Sequence, residues 1–162
     1  MRTPHRGLVL ATGWALLLAP PLAFLLKASV FPGWMMFILV LGAIPLLIGY
    51  AMQIVVASNG MLRSRGVFAV ASDAWRGILA AWLTSAGVLL SAFFLVDGGD
   101  DGSYGSAFTE LTGTSSTAEG ERLSMGLLSP CALMWLAGWL WLVIEWIVQL
   151  GRARAERRAS GA

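Results

Sequence analysis

The sequence predicts an all-α integral membrane protein, built as a bundle of four transmembrane helices with both termini in the cytoplasm. Three observations support this prediction. The chain of 162 residues is 57% hydrophobic and only 12% charged, whereas a soluble domain carries about 25% charged residues. Four stretches are apolar over the roughly 20 residues that a helix needs to cross the hydrocarbon core. Most arginines lie in segments that four crossings would place on one side of the membrane.

The four apolar stretches define a single membrane domain over residues 1–162. Backbone N–H and C=O groups must be paired inside lipid, so each stretch is predicted to be helical. The predicted spans cover residues 7–26, 31–57, 75–96 and 125–150. Between the last two, residues 97–124 form an acidic outer loop rich in Gly, Ser and Thr, which we expect to be flexible. Residues 151–162 form a basic cytoplasmic tail.

The orientation follows from the basic residues. Nine of the eleven lie before the first span, around the connector between the second and third spans, or after the fourth span. Positive residues stay on the cytoplasmic side, which places both termini there. Arginine far exceeds lysine, and Ala, Gly, Leu and Trp are abundant. This composition predicts a bacterial inner-membrane protein.

Composition also excludes several classes of protein. A small domain cannot bury this much apolar surface, which excludes a soluble enzyme and a nucleic-acid-binding module. His5 is the only histidine and Cys131 the only cysteine, so neither a metal centre nor a disulfide framework is predicted. The chain has no phosphate-binding loop, no nucleophile elbow and no pair of intramembrane carboxylates. We therefore predict no catalytic residues, no metal site and no cofactor.

Prolines interrupt two of the spans. Pro20 and Pro21 remove two hydrogen bonds from the first helix, and Pro45 is expected to bend the second near its middle. The carbonyls that they free must be satisfied by neighbouring helices or by water. We expect these bends to let the helices curve around each other; the alternative is a substrate cavity.

Small residues at helical spacing predict where the helices pack. Lipid does not drive helices together, so close approach through small side chains matters in a bilayer. The predicted packing face comprises Gly42, Gly49, Gly77, Thr84, Gly87, Cys131 and Gly138.

Glu145 is the one acidic residue within a predicted span. Ionisable groups inside a membrane are costly and are functional candidates by default. Trp141 and Gln149 lie one turn away on the same helix, and Gln53 lies at a similar depth on the second span. These four residues form the candidate intramembrane polar site. The alternative is an interfacial Glu145 that reaches water or pairs with Arg152 or another arginine.

The connector between the second and third spans, residues 58–73, begins with Asn59-Gly60, which is typical of a turn. We expect a solvated connector, with Ser72 or Asp73 capping the third helix. Anionic lipid headgroups are the predicted partners of its arginines and of those in the tail. These residues are Arg63, Arg65, Arg152, Arg154, Arg157 and Arg158.

With abundant packing surface and few chemical groups, the sequence favours a non-enzymatic accessory or scaffold subunit. Its expected partners are the lipid bilayer and another membrane protein or a second copy of the chain, and not nucleic acid. One alternative is a small transporter of protons or cations that uses Glu145. A second is a protein that binds a lipid or an apolar cofactor through Trp135, Trp139 and Trp146, which share a helix face.

Overall fold

The computed structural model describes residues 6–71, 73–100 and 102–160, apart from the side chains of Arg157 and Ser160. The helices in these ranges are α1 (Arg6–Ser29), α2 (Trp34–Leu41), α3 (Ala43–Val56), a π-helical turn (Ala57–Leu62), α4 (Val67–Val70), α5 (Trp75–Phe94), α6 (Ala107–Thr112) and α7 (Ala118–Ser160). Two short strands, β1 (Asp97–Gly98) and β2 (Tyr104–Gly105), pair antiparallel.

Four helical stretches among the described residues are long and apolar enough to cross a membrane, which confirms the predicted helical fold. These stretches are Arg6–Ser29, Ala43–Val70, Trp75–Phe94 and Ala118–Glu156. The fourth helix begins at Ala118 rather than near residue 125, and α7 has 43 residues. At a rise of 1.5 Å per residue it is about 64 Å long, about twice the thickness of the hydrocarbon core.

The compact part of the molecule is formed by α1, α5 and α7. Helices α5 and α7 approach closely because a glycine on each helix faces the backbone of the other. A Cβ added at Gly87 would lie 2.5 Å from the backbone nitrogen of Trp135, and one at Gly138 would lie 2.9 Å from that of Thr84. The core beneath includes Leu16 and Leu142, both fully buried. Three residues of the predicted packing face therefore lie at this contact.

The second predicted span is divided at Gly42 into α2 and α3, three residues before Pro45. The predicted bend in this span is therefore present, as a break between two helices. No residue of α2 is buried, and Leu41 is 85% exposed. Gly42 lies nearest to atoms of its own span, whereas Gly49 approaches the ring of Trp139 on α7. The α2–α3 segment thus lies at the periphery of the bundle.

Side chains of α3 satisfy the carbonyls that the proline pair frees in α1. Pro20 cannot donate to the carbonyl of Leu16, which instead accepts a hydrogen bond of 2.6 Å from Nε2 of Gln53. Pro21 leaves the carbonyl of Leu17 free, and Oη of Tyr50 donates to it at 2.8 Å. Both bonds join α3 to α1, so the irregular backbone of α1 is compensated by its neighbour.

The connector between the second and third spans is packed into the bundle in part, while residues 63–65 are exposed to solvent as expected. Helix continues through Asn59-Gly60 as the π-helical turn, and Arg6 caps its end by donating to the carbonyls of Leu62 and Arg63 at 2.9 and 3.0 Å. Phe68 of α4 is fully buried. Its ring occupies the space that a side chain would need at Gly60 or Gly77. These two glycines explain why an apolar residue of the connector enters the core.

The segment 97–124, which we expected to be a flexible loop, contains β1, β2, α6 and the first turns of α7. Hydroxyl groups supply the local hydrogen bonds. Ser106 and Thr109 form a capping box at the start of α6. Oγ of Ser124 bonds both Oγ of Ser106 and the carbonyl of Phe94, at 2.7 and 2.8 Å. The Ser and Thr residues that suggested flexibility therefore pair with each other and with backbone.

Candidate functional site

A polar cluster lies where the last turns of α7 meet the N-terminus of α5. Glu145 and Gln149 are one turn apart on α7, and Arg152 follows on the same helix. Asp73 lies two residues before α5. We call this the arginine end of the bundle, since Arg6 and Arg63 also lie there, bonded to each other through a backbone carbonyl.

The amide of Gln149 links two carboxylates. Its Nε2 donates to Oδ1 of Asp73 at 2.7 Å and to Oε1 of Glu145 at 2.9 Å. An amide nitrogen carries two protons, so both donors are used. Gln149 and Glu145 are buried, with 5% and 7% exposure. The cluster therefore connects a buried carboxyl group to one at the protein surface.

Arg152 pairs with Asp73 and not with Glu145. Its Nη1 lies 2.8 Å from Oδ2 of Asp73, and the two side chains are 56% and 26% exposed. The hydrogen bond from Gln149 is the main cause that holds the pKa of Asp73 below its usual value; burial opposes it, and the hydrogen bond and charge of Arg152 lower the pKa further. Among the described side chains, no Lys or Arg forms an ion pair with Glu145. The pairing of Glu145 with Arg152, one of the alternatives that the sequence left open, is therefore not made.

A cavity of about 430 Å³ lies beside the cluster and opens at its surface. Polar side chains line one side of it, those of Asp73, Gln149, Arg152 and Glu156, and residues of α4 line the other. Glu145 is separated from this cavity by Gln149.

The structure does not bring all four predicted site residues together. Gln53 binds the carbonyl of Leu16 rather than Glu145. Trp141 packs, half-buried, against the hydrophobic core. Glu145 and Gln149 form the predicted polar pair, and their further partner is Asp73.

Asp73 does not cap the third membrane helix, α5, as its position in the sequence led us to expect. The N-cap of α5 is Ala74, and the carboxylate of Asp73 faces α7 instead. Ser72, the other predicted cap, lies outside the described residues. One feature of the sequence indicates the role of Asp73: it is the only acidic residue of an otherwise basic connector. This connector and the arginines of the tail lie at the same end of the bundle.

The cluster offers two carboxylates, one amide and one guanidinium group, and none of the described residues joined in it is a histidine or a cysteine. Carboxylates can exchange protons and bind cations. Within the described ranges, no group of three or more His, Cys, Asp or Glu residues is placed to hold a metal ion. No known protein family, curated protein or solved structure matches this chain.

Proposed function

We propose that this chain is a small multi-pass protein of the bacterial inner membrane that acts as a non-enzymatic accessory or scaffold subunit. The observation that carries this proposal is the peripheral position of α2 and α3. Two of the described helices thus contribute little to the core, while their apolar side chains face outward, among them Val40, Leu41, Ile44 and Leu47 at 63–85% exposure. This surface is available to a helix of another membrane protein.

The break in the second span supports a protein partner over lipid alone. Pro45 has no N–H to donate to the carbonyl of Leu41, and no side chain of the described residues donates to it either. The freed carbonyls of α1, in contrast, are both bonded. The Leu41 carbonyl therefore lacks the donor that a regular helix supplies four residues on, and in a membrane such an irregular backbone relies on neighbouring helices for additional donors. A partner helix with a hydroxyl or amide side chain would satisfy the Leu41 carbonyl, and Gly42 would allow its close approach.

Photo-crosslinking in native membranes tests this proposal. A photoreactive residue at Leu41 should give a discrete adduct with a partner protein. The same residue at Leu133, which is 68% exposed on α7, serves as the matched control and should give none. Absence of a discrete adduct from Leu41 would contradict the proposal. Equal adducts from both positions would show that contact is not specific to α2 and α3.

The second candidate function is a transporter of protons or cations, which the burial of Glu145 near the cavity at the arginine end favours. In vesicles, replacing Glu145 by Gln should then abolish proton-dependent flux. The control is Glu156→Gln, which changes an exposed carboxylate at the cavity rim. Flux that survives the Glu145 substitution would remove this residue from the mechanism.

The alternative of an apolar cofactor or lipid site gains no support from the tryptophans. Trp139 donates from Nε1 to the carbonyl of Gly49 at 3.3 Å. Trp135 packs against Gly87, and Trp146 packs against the main core. These side chains are used in packing between helices.

Cytoplasmic termini and anionic headgroups at the arginine end remain part of the proposal. The exposed arginines at this end are Arg63, Arg65, Arg154 and Arg158. Arg152 forms an ion pair with Asp73. The side chain of Arg157 lies outside the described residues. Replacing Arg154 and Arg158 by Gln should reduce the phosphatidylglycerol that remains bound during purification. Unchanged retention would exclude these two as headgroup ligands.

A further inference from the structure

At the end of the bundle opposite the arginines, one buried carboxylate holds the start of α2. Asp97 has a side chain that is only 1% exposed. Its two oxygens accept hydrogen bonds from the backbone N–H groups of Gly33 and Met35, at 3.1 and 3.0 Å. The backbone N–H of Gly98 also donates to it, at 2.9 Å. A carboxylate at this position satisfies backbone donors that the first turn of a helix leaves free.

Lys27 completes this arrangement from the end of α1. Its Nζ lies 3.5 Å from Oδ2 of Asp97, and its side chain is 3% exposed. It also donates to the carbonyls of Phe31 and Leu95, at 2.9 and 3.2 Å. The ends of α1 and α5 and the start of α2 are thus joined through one ion pair. We call Lys27, Asp97 and the N–H groups of Gly33 and Met35 the latch.

The link from α1 to α2 passes through a strained residue. Phe31 has a φ of 49°, a conformation that bulky side chains rarely adopt. The surrounding contacts must compensate for such strain. The bond from Lys27 to the Phe31 carbonyl is one such contact, so loss of the latch would also remove a restraint on this residue.

Beyond the latch, little holds α2 in place. None of its residues is buried, and its main contacts are with β1 and α3 rather than with α1, α5 or α7. Its other end stops at Gly42, where the helix breaks before Pro45. A proline close to a glycine is a common cause of such a break. The chain therefore has a fixed point at one end of α2 and a pivot at the other.

We infer that α2 is a hinged segment, which the latch holds in one position and which swings about Gly42–Pro45 when the latch opens. Helices α5 and α7 keep their arrangement during this movement, since glycine contacts between their backbones hold them together. The movement changes the shape of the α2–α3 surface and leaves the polar cluster at the arginine end unaltered.

Distances between spin labels test this inference in the complete chain in lipid nanodiscs. One label is attached to the native Cys131 on α7 and the other to a cysteine replacing Val40, which is 69% exposed on α2. The reference pair joins Cys131 to a cysteine replacing Leu90 on α5. Each pair is measured with Asp97 intact, with Asp97→Asn, and with the control Asp100→Asn, which changes an exposed acid of the same loop.

With Asp97→Asn, the distance distribution from Val40 to Cys131 should become at least twice as broad, while that from Leu90 to Cys131 stays unchanged. Asp100→Asn should alter neither. Because Asp97→Asn leaves Lys27 buried without its partner, Gly33→Ala provides a second variant. Its methyl group would overlap the carbonyl of Gly98 without removing a charge, and it should give the same result. Unchanged distributions with both variants, or equal broadening of the reference pair, would overturn the inference.

Discussion

The bond from Gln53 to α1 allows a quantitative test of how this fold tolerates a proline pair. Replacing Gln53 by Leu keeps the volume of the side chain but removes the donor to the Leu16 carbonyl. An unsatisfied buried carbonyl costs about 1–3 kcal/mol in folded proteins. Interhelical hydrogen bonds in membranes average about 0.6 kcal/mol and reach about 1.7 kcal/mol.

The structure indicates which of these magnitudes applies. When α1 is separated from α3, Pro20 still leaves the Leu16 carbonyl without a donor. The unfolded state in the membrane is therefore destabilised by the same unsatisfied carbonyl, which reduces the effect of the substitution on the free energy of unfolding. Gln53 is only 3% exposed and its bond of 2.6 Å is short, which favours the upper part of the membrane range. We therefore expect the substitution to lower the free energy of unfolding by about 1 kcal/mol.

A double-mutant cycle with Pro20→Ala distinguishes this effect from lost packing. Alanine at position 20 supplies the missing N–H, so Leu16 no longer needs Gln53, and Gln53→Leu should then cost nearly nothing. The free energies are measured by unfolding in mixed micelles of increasing SDS content. The pair of Tyr50→Phe and Pro21→Ala should behave in the same way. If Gln53→Leu lowers the free energy of unfolding equally in both backgrounds, Gln53 does not compensate for Pro20, because its side chain then acts only by packing.

Two further predictions concern α5 and its N-terminus. Gly87→Ala places a methyl group 2.5 Å from the backbone of α7 and should lower the free energy of unfolding by about 1–3 kcal/mol. Gly126→Ala, where the methyl group meets nothing within 4 Å, is the control, and similar losses from both would refute the close contact. Because the pKa of Asp73 is lowered in the folded protein, the stabilisation that this group contributes is complete at a pH above its usual pKa of 3.8. It is lost as the pH falls through the lower pKa of the folded state. Since Asp73 is 26% exposed, this contribution should stay below about 1 kcal/mol. Unfolding measured from pH 5 to pH 3 should show it in the parent and not in Asp73→Asn, and identical pH profiles would contradict this assignment.

The helices of this protein could be predicted because a bilayer restricts what a backbone can do. Long apolar stretches must be helical in lipid. The observed helices coincide with most of each predicted span, but residues 31–33, Gly42 and residues 95–96 are not helical, and the second stretch long enough to cross a membrane runs over Ala43–Val70 rather than 31–57. Pro45 indicated the bend near Gly42. Gly87 and Gly138 were predictable as packing positions since only a missing side chain permits backbones to approach this closely.

The parts that could not be predicted depend on contacts distant in sequence. The burial of Phe68 could not be predicted from residues 58–73 alone, because the space for its ring is created by Gly60 together with Gly77 on another helix. Lys27 and Asp97 are 70 positions apart, and nothing in the sequence indicates that these two charges form an ion pair. The depth of Gln53 in the membrane is compatible with a hydrogen bond either to Glu145 or to a carbonyl that a proline leaves free. Its partner is decided by the side of α3 that faces α1.

Whether α2 and α3 bind another membrane protein is decided by the mass of the intact assembly. The protein is extracted from native membranes in polymer nanodiscs, without detergent, and its mass is measured by native mass spectrometry. We expect an assembly larger than the 17.3 kDa chain, which Leu41→Arg disrupts and Leu133→Arg does not. Recovery of the chain only as a 17.3 kDa monomer with bound lipid would contradict this expectation.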